Sequence, residues 1–303
     1  MDYILQTNNL CKNYGKARIL KNVTLNIPKG AIYGFVGRNG AGKTTLIRVV
    51  CGLHNPSSGE YSLYGTKNSD KEILNKRKKT GAVVETPSIY LDLSARENLK
   101  LQCKLLGIGT DGIEEVLELV GLKNTGEKRA KDFSLGMRQR LGIAFALIGN
   151  PEFLVLDEPI NGLDPQGIME VRELLLKLNR ERNITILISS HILDELSKLA
   201  THYGFIEKGK MIKELSAQEL EDACTQFVSV TVSDTAVLSD VLTEMNMEFK
   251  ITSDNEAQIF TPFKVTPLVL ALNDRGCEVI SMSENHESLE SYFVKLIGGV
   301  THD

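Results

Sequence analysis

Cysteine is sparse and scattered in this 303-residue chain, which carries five cysteines and no Cys-x-x-Cys pair. An odd number of isolated thiols argues against a disulfide framework or a cysteine zinc site and favours a reducing compartment. No stretch approaches the ~18 consecutive apolar residues of a membrane-spanning helix. The first residues also lack the basic and then apolar segments of a secretory signal. We therefore expect any membrane role to depend on a partner protein.

The chain also lacks an excess of either charge. Lysine plus arginine number 35 against 39 aspartate plus glutamate, which gives a net charge of −4. A dedicated nucleic-acid binder would more often be basic, so we expect no nucleic-acid partner. Hydrophobic residues make up 42% and charged residues 24%, which is typical of globular proteins and excludes disordered and fibrous classes.

Apolar runs that alternate with helical patterns predict an α/β fold. The run Ala31–Val36 is almost wholly apolar, as expected of a strand buried on both faces, and a helical pattern starts at Lys43. Two similar runs, Phe153–Leu156 and Ile184–Ile188, are separated by a helical pattern over Met169–Asn179. Strands that alternate with helices in this way are typical of a parallel sheet.

The length and the change of pattern along the chain predict two domains, 1–222 and 223–303. The first holds the α/β core and a helix-rich region at about 87–150. The second follows the order β-α-β-β-α-β, which is the split βαβ arrangement of a small α+β domain. Within it, Thr266-Pro267 is expected to open a helix, with the threonine as its cap and the proline as its first residue.

A glycine-rich segment separates the first buried strand from the helix that follows it. Gly37–Thr44 fits the phosphate-binding pattern GxxxxGK[ST], whose glycines let backbone N–H groups point at phosphate oxygens. Lys43 is expected to reach the β and γ phosphates, and the Thr44 hydroxyl is expected to hold Mg²⁺. The alternative is a glycine-rich turn without a ligand. The predicted nucleotide-binding residues are Gly37, Asn39, Gly40, Ala41, Gly42, Lys43, Thr44 and Thr45.

Polar side chains follow the two other buried strands. Asp157 and Glu158 end the apolar run that starts at Phe153, and His191 follows the next strand. Ligands of parallel sheets bind at the carboxyl ends of strands, where the glycine-rich segment also lies. We expect Asp157 to orient Mg²⁺, Glu158 to polarise an attacking water, and a neutral His191 to donate to a γ-phosphate oxygen. Alone, the acids could cap a helix, and a lone histidine is more often structural.

Together these residues resemble the ATP-binding subunit of an ABC transporter over about residues 1–220. The distinguishing segment is Ser134–Gln139, 23 residues before Asp157, which looks like the family's signature motif. It departs from the usual LSGGQ form but retains Ser134 and Gly136, and the resemblance implies that these two grip the γ-phosphate of a nucleotide held by a second subunit. The alternative is a plain serine cap without such a contact. The departures are Phe133, Leu135 and Met137 in place of leucine, glycine and glutamine.

The resemblance implies roles for three further segments. Tyr14 resembles the aromatic residue that stacks on adenine, although a strand tyrosine packed against its neighbours is the alternative. Asn161–Asp164 resembles the D-loop, which links the two sites of a dimer. Glu85 stands where family members usually carry glutamine, and we expect it to contact Mg²⁺ or the catalytic water. With the altered signature, Glu85 resembles the bacitracin-resistance and lantibiotic-immunity branch. The alternative is a tolerated variant without meaning for the substrate.

The family resemblance implies a P-loop ATPase core with an antiparallel β subdomain and a helical subdomain, using ATP and Mg²⁺. Two identical chains, or one chain and a related ATPase subunit, would pair head-to-tail on ATP. A separate permease would dock near Tyr90–Leu101 and hold the chain at the cytoplasmic face of the membrane, where it would drive export of an antimicrobial peptide. The expected catalytic residues are Lys43, Glu85, Glu158 and His191.

Two other functions share the same ATP site. An ABC ATPase that acts on ribosomes or DNA usually has tandem ATPase domains or a long coiled-coil insertion, and this sequence shows neither. A regulatory module would hold ATP without hydrolysing it, but the intact Lys43, Asp157, Glu158 and His191 argue against that function.

Overall fold

A computed structural model describes residues 2–224, 226–286 and 288–298. The chain divides into two compact units, Met1–Ala217 and Gln218–Asp303, a few residues ahead of the boundary expected near 222. The strands are β1 (Tyr3–Tyr14), β2 (Ala17–Pro28), β3 (Ile32–Val36), β4 (Ser58–Leu63), β5 (Thr66–Lys67), β6 (Thr80–Val83), β7 (Phe153–Asp157), β8 (Thr185–Ser190), β9 (His202–Glu207), β10 (Lys210–Ser216), β11 (Gln226–Val232), β12 (Phe249–Ser253), β13 (Glu256–Ile259) and β14 (Val279–His286). The helices are α1 (Lys43–Val50), α2 (Ile73–Arg77), α3 (Ala95–Leu106), α4 (Ile113–Leu119), α5 (Leu135–Leu147), α6 (Pro165–Arg182), α7 (Leu193–Ser197), α8 (Ala217–Ala223), α9 (Thr235–Glu244), α10 (Val265–Asn273) and α11 (Leu289–Gly298).

The central sheet of the first unit has the order β10-β9-β3-β8-β7-β6, and its pairs are parallel except β10 with β9. Strands β3, β7 and β8 are buried along their whole length, which is why their sequences are mostly apolar, with polar residues only at the ends of β7 and β8. Their carboxyl ends lie side by side, with Val36 opposite Ser190 and Asp157 opposite Ser189. The predicted α/β core is therefore confirmed. The three polar segments that follow these strands lie next to one another at the carboxyl ends of the strands.

A second sheet, of order β2-β1-β4-β5, is antiparallel and is the β subdomain that the resemblance implied. One hydrophobic core joins this sheet to α1 and to the central sheet, with Leu25, Leu46, Phe35 and Val155 among its fully buried members. Because α1 packs into this core, the start of the helix, where the phosphate-binding segment ends, is held in a fixed position.

The helix-rich region contains α3, α4 and α5. Helix α3 begins with a reciprocal cap, in which Ser94 accepts from the Glu97 backbone N–H and the Glu97 carboxylate accepts from the Ser94 N–H at 2.8 Å. The fully buried Asn98 donates to the carbonyl oxygens of Tyr90 and Ser94, each at 2.9 Å. These bonds tie the chain that enters α3 to the helix itself.

The second unit has the order β11-α9-β12-β13-α10-β14, followed by α11, so the expected β-α-β-β-α-β arrangement is confirmed. Its antiparallel sheet has the order β12-β13-β11-β14. The expected cap of α10 is wrong, because the cap position is Lys264 and Thr266 and Pro267 are the second and third helical residues. Proline is tolerated there because the first N–H groups of a helix have no intrahelical partner.

In the ranges that the structure describes, no helix has both the length and the apolar character needed to cross a membrane.

Candidate nucleotide site

The phosphate-binding segment connects β3 to α1 through a tightly curled backbone. Gly40 has φ +80° and Gly42, the cap of α1, has φ +112°, a region that residues with side chains rarely adopt. A Cβ added to Gly37 would lie 2.6 Å from the Ile206 carbonyl oxygen, so a side chain would not fit there. Gly40 and Gly42 are thus required by their backbone conformation, and Gly37 is required because a side chain would clash with Ile206.

Lys43 is the first residue of α1 and points back over the segment. Its side chain is 6% exposed, and its Nζ donates to the Gly37 carbonyl oxygen at 2.6 Å. The same Nζ lies 3.2 Å from Oε1 of Glu158, whose side chain is 21% exposed. The lysine that is expected to bind phosphate is therefore paired with the carboxylate that is expected to act on water.

A cavity of about 720 Å³ opens beside this ion pair, which is within the range of small-molecule sites. It brings together the predicted tyrosine, phosphate-binding segment, acid and histidine. It is lined by Tyr14, Ile19, Arg38, Asn39, Gly40, Gly42, Lys43, Thr44, Thr45, Glu158, Asn161 and His191. Arg38 and Asn161 were not predicted as ligands, although both belong to segments that the sequence singled out.

Glu158 is held between two partners at the end of β7. It has φ +51°, and its backbone N–H lies within hydrogen-bond distance of both the Ser189 carbonyl and hydroxyl oxygens, at 3.1 and 3.0 Å. Its Oε2 lies 2.7 Å from Nδ1 of His191. Because an ionised carboxylate only accepts, Nδ1 carries the proton in this pair, which leaves Nε2 of a neutral ring without one. To donate from Nδ1 to a phosphate, the His191 ring would have to turn away from Glu158.

Asp157 is buried, and one of its two carboxylate oxygens has no partner. Oδ1 accepts from the Ser189 hydroxyl at 2.5 Å, whereas Oδ2 is buried without a hydrogen bond. A buried unpartnered carboxylate oxygen is costly, so this atom is suited to a cation. The sequence missed Ser189, whose hydroxyl donates to the Asp157 carboxylate and accepts from the Glu158 backbone N–H. Its only signal was its position at the end of the strand before His191.

The donors present fit Mg²⁺. Among the described residues no three His, Cys, Asp or Glu side chains cluster as a metal site. Mg²⁺ often takes one or two side-chain oxygens and completes its shell with phosphate oxygens and water. The orphaned oxygen of Asp157 and the Thr44 hydroxyl on the cavity wall match that pattern.

Glu85 does not line the cavity. Its side chain is 56% exposed, and its Oε1 lies 2.6 Å from Nη2 of Arg48 on α1. The hydrogen bond from Arg48 to Glu85 is the main cause that raises the pKa of the arginine, and Tyr14 adds to it. The structure therefore places Glu85 beside a cation of the phosphate-binding helix, and a metal-contacting role for Glu85 stays a prediction.

Tyr14 lies at the rim of the cavity, at the end of β1. Its ring is 40% exposed and contacts His54 edge to face, with ring centroids 5.6 Å apart. Lys12 Nζ lies 5.1 Å from the ring centroid. A partly exposed ring that is held in place in this way is available to a flat base.

Ser134 and Gly136 do not line the cavity of their own chain. Ser134 is exposed and caps α5 by accepting from the Met137 N–H at 3.2 Å. The D-loop and the start of α6 pack against Gly136. A Cβ on Gly136 would lie 4.0 Å from the Leu163 side chain of the D-loop and 3.7 Å from the Gly167 Cα of α6, whose cap is Asp164. Within this chain Ser134 acts as a helix cap. If Ser134 contacts a nucleotide, that nucleotide would have to be bound in the cavity of another subunit.

The site has two defining parts. A glycine-rich segment joins a buried parallel strand to a helix, and an acid pair ends a nearby strand of the same sheet. These two parts define the class of P-loop nucleoside triphosphatases. The chain belongs to the ATP-binding proteins of ABC transporters. The model of the ABC transporter family matches residues 20–161. The bacitracin transport ATP-binding protein BcrA of Bacillus licheniformis is 42% identical over 99% of both chains. The lantibiotic transport ATP-binding protein SrtF of Streptococcus pyogenes is 46% identical over 70% of this chain and 90% of its own length.

Solved structures agree with this assignment. CbiO1 of Clostridium perfringens, part of an ABC transporter complex, has a TM-score of 0.67 at 26% identity and covers 81% of this chain and 97% of its own. The cassette MJ0796, a dimer bound to ADP and Pi, has a TM-score of 0.63 at 26% identity, covering 70% and 98%. The chain is thus an ABC ATPase, and its expected similarity to the bacitracin and lantibiotic branch is confirmed.

Proposed function

We propose that this ATPase uses ATP and Mg²⁺ to power a separate permease that expels a bacitracin- or lantibiotic-like peptide from the membrane. The observation that carries the proposal is the cavity in which Lys43, Glu158 and His191 meet, together with the buried, unpartnered oxygen of the neighbouring residue Asp157. The full-length similarity to BcrA supports the peptide class.

The residues support hydrolysis of the terminal phosphate. Water attacks the γ-phosphorus, the bond to the bridging oxygen breaks, and ADP and phosphate leave. Glu158 is placed to orient this water and take its proton, and Lys43 is placed to neutralise charge on the phosphates. Mg²⁺, when held by Thr44 and Asp157, supplies further charge neutralisation of the phosphates. The Lys43–Glu158 pair must open as the nucleotide enters, which frees both side chains for their tasks.

A complete site would need a second subunit. Ser134 and Gly136 lie outside the cavity of their own chain, so a second copy or a related ATPase subunit would bring these residues to the nucleotide. A cap serine carries a hydroxyl beside the N–H groups of a helix start, which together form a phosphate-binding group. The dimeric form of MJ0796 supports the pairing of two such subunits.

A groove with both apolar and polar walls is suited to the permease. A cavity of about 550 Å³ lies between the segment after β6 and the helices α3 and α5, and its walls include Pro87, Tyr90, Leu105 and Phe145. Tyr90, Leu105 and Leu106 in its walls are all exposed, and apolar side chains that are exposed together mark interaction sites. A cytoplasmic helix of the permease in this groove would hold the chain at the inner face of the membrane.

The proposal is tested by peptide resistance in cells that carry this chain together with the permease of a bacitracin- or lantibiotic-type ABC transporter. Glu158→Gln is expected to abolish resistance. Glu195→Gln removes a comparably buried and ion-paired carboxylate outside the site and is expected to leave resistance intact. Leu105→Asp is expected to abolish resistance while the isolated chain still hydrolyses ATP. Full resistance with Glu158→Gln would contradict the proposal and favour a regulatory module. Turnover that responds to ribosomes or DNA, but never to a permease, would favour the soluble alternative.

A further inference from the structure

The two units of the chain carry net charges of opposite sign. Residues 218–303 contain 15 aspartate and glutamate residues against 4 lysine and arginine residues, which gives this unit a net charge of −11. Residues 1–217 contain 24 acidic and 31 basic residues, a net charge of +7, so the two units together give the −4 of the whole chain. The acidic excess of the second unit repels itself, and it attracts a partner of positive charge.

A cavity of about 450 Å³ lies at one end of the sheet of this second unit. Its walls come from the start of β11, the second half of β14 and the chain between β13 and α10. They include Phe227, Phe260 and Phe263, and the ring centroids of the first two lie 6.0 Å apart. Val265 in the same wall is 53% exposed. Such a wall is suited to an apolar side chain of a partner, and the face of a phenyl ring also attracts a cation.

Two exposed carboxylates flank this cavity. Glu284 lines it. Glu248 lies next to it, because its carbonyl oxygen accepts from the Phe260 N–H and its own N–H donates to the Thr261 hydroxyl, each at 2.8 Å. Within the ranges that the structure describes, neither carboxylate makes a hydrogen bond or an ion pair. Lys264 belongs to the same stretch of chain but does not line the cavity. The cavity therefore combines apolar walls with negative charge that a partner can neutralise.

The sign of the charge separates the possible occupants of the cavity. A unit with a net charge of −11 repels nucleic acid and the anionic inner surface of a membrane. The cytoplasmic segments of membrane proteins carry an excess of lysine and arginine, so a permease offers segments of the opposite charge. A concave site also receives side chains from a protruding segment more readily than from the flat face of a folded unit.

We propose that the second unit docks a basic cytoplasmic segment of the permease, with an apolar or aromatic side chain of that segment in the cavity and a neighbouring lysine or arginine against Glu284. This inference rests on the proposed function, and it gives the permease a second contact, separate from the groove beside α3 and α5. The acidic charge speeds the encounter and selects basic segments, and the apolar walls hold the segment once it is bound. Residues 218–303 thus take part in the choice of permease.

Binding of the full-length chain to the permease of a bacitracin- or lantibiotic-type ABC transporter, held in phosphatidylcholine nanodiscs, tests the inference. Synthetic peptides that each cover one cytoplasmic segment of that permease then identify the segment. Glu284→Lys is expected to weaken binding of the permease and of one basic peptide roughly tenfold, and Phe227→Ala is expected to weaken both roughly fivefold. Glu284 is exposed, so its variant provides the reading if the Phe227 variant folds poorly.

Glu278→Lys is the matched control, because it changes the charge of the unit by the same amount. Glu278 is exposed and lies just before β14, at the end of the sheet away from the cavity. Its variant is expected to weaken binding less than roughly twofold, as a charge outside the contact does. Equal weakening by Glu278→Lys and Glu284→Lys, or no weakening by either, would overturn the inference and leave the proposed function standing. Failure of the wild-type chain to bind the permease at all would overturn the proposed function instead.

Two further measurements identify a different occupant. Sedimentation of the chain alone would assign the cavity to a second copy if the wild type dimerises and Glu284→Lys abolishes the dimer. Vesicles of phosphatidylglycerol would assign it to the membrane surface if the wild type binds them and Phe227→Ala does not. Either result would overturn the proposed docking of the permease on this unit, and a monomer that ignores the vesicles agrees with it.

Discussion

Glu158→Gln should tighten ATP binding as well as stop turnover. The Glu158 carboxylate lies 3.2 Å from Lys43 Nζ and would compete with phosphate for that cation. Glutamine has the same length and still offers an oxygen, but it carries no charge. ATP would then displace a neutral group from Lys43, and its γ-phosphate would face no neighbouring carboxylate.

The burial of the two side chains sets the size of this effect. Lys43 is 6% and Glu158 is 21% exposed, so water screens their interaction only in part. The full Coulomb attraction at this distance is about 5 kcal/mol for an effective dielectric constant of 20, and desolvation offsets most of it. A net of about 1.5 kcal/mol is typical of a hydrogen bond to a charged group, which corresponds to roughly tenfold tighter ATP binding.

Titration calorimetry with ATP and Mg²⁺ measures this change directly, because the variant should not consume its ligand. Glu195→Gln is the matched control, since Glu195 has a side-chain exposure of 19% and pairs with Arg172 outside the cavity. Its affinity for ATP should stay within twofold of wild type. An affinity of Glu158→Gln equal to wild type would refute the competition between carboxylate and phosphate for Lys43.

Three further predictions address the other parts of the site. Chains with Ser134→Arg and chains with Lys43→Ala should each be inactive. An equal mixture should regain about a quarter of the wild-type ATPase rate, since half of the dimers are mixed and each mixed dimer holds one intact site of two. An inactive mixture would argue against a site shared between subunits. Asp157→Asn should leave the free energy of unfolding of the metal-free chain within about 1 kcal/mol of wild type, since asparagine still accepts from Ser189. In the same variant, calorimetry should show that Mg²⁺ no longer strengthens ATP binding. Tyr14→Ala should weaken ATP binding by about 1–3 kcal/mol, as loss of base stacking does, and Tyr14→Phe should not; equal affinities in a competition assay would remove Tyr14 from the base site.

Much of the site could be predicted because its residues follow from local pattern. The spacing of Gly37–Thr44 and the apolar strands before it and before Asp157 are short-range features, and parallel pairing then brings their ends together. The same reasoning predicted the β-α-β-β-α-β unit from alternation of short strands and helices. Such features depend on residues close in sequence, and a single chain displays them fully.

The remaining features depend on which distant side chains meet. Nothing near Arg48 or Glu85 indicates that they pair, because the order of strands and the direction of the segment after β6 decide it. The Lys43–Glu158 contact is likewise set by the packing of α1 against the sheet. At Thr266 a local rule gave the wrong helix start, since proline is tolerated at later positions of the first turn as well as at the first.

The central claim is that this chain turns ATP hydrolysis into removal of a peptide through a separate permease. The most direct test is the ATPase rate of the chain assembled with such a permease in lipid nanodiscs, measured with increasing bacitracin or lantibiotic. We predict a rate that rises severalfold with peptide and is lost with Glu158→Gln. A rate that neither the permease nor any peptide changes would contradict the claim.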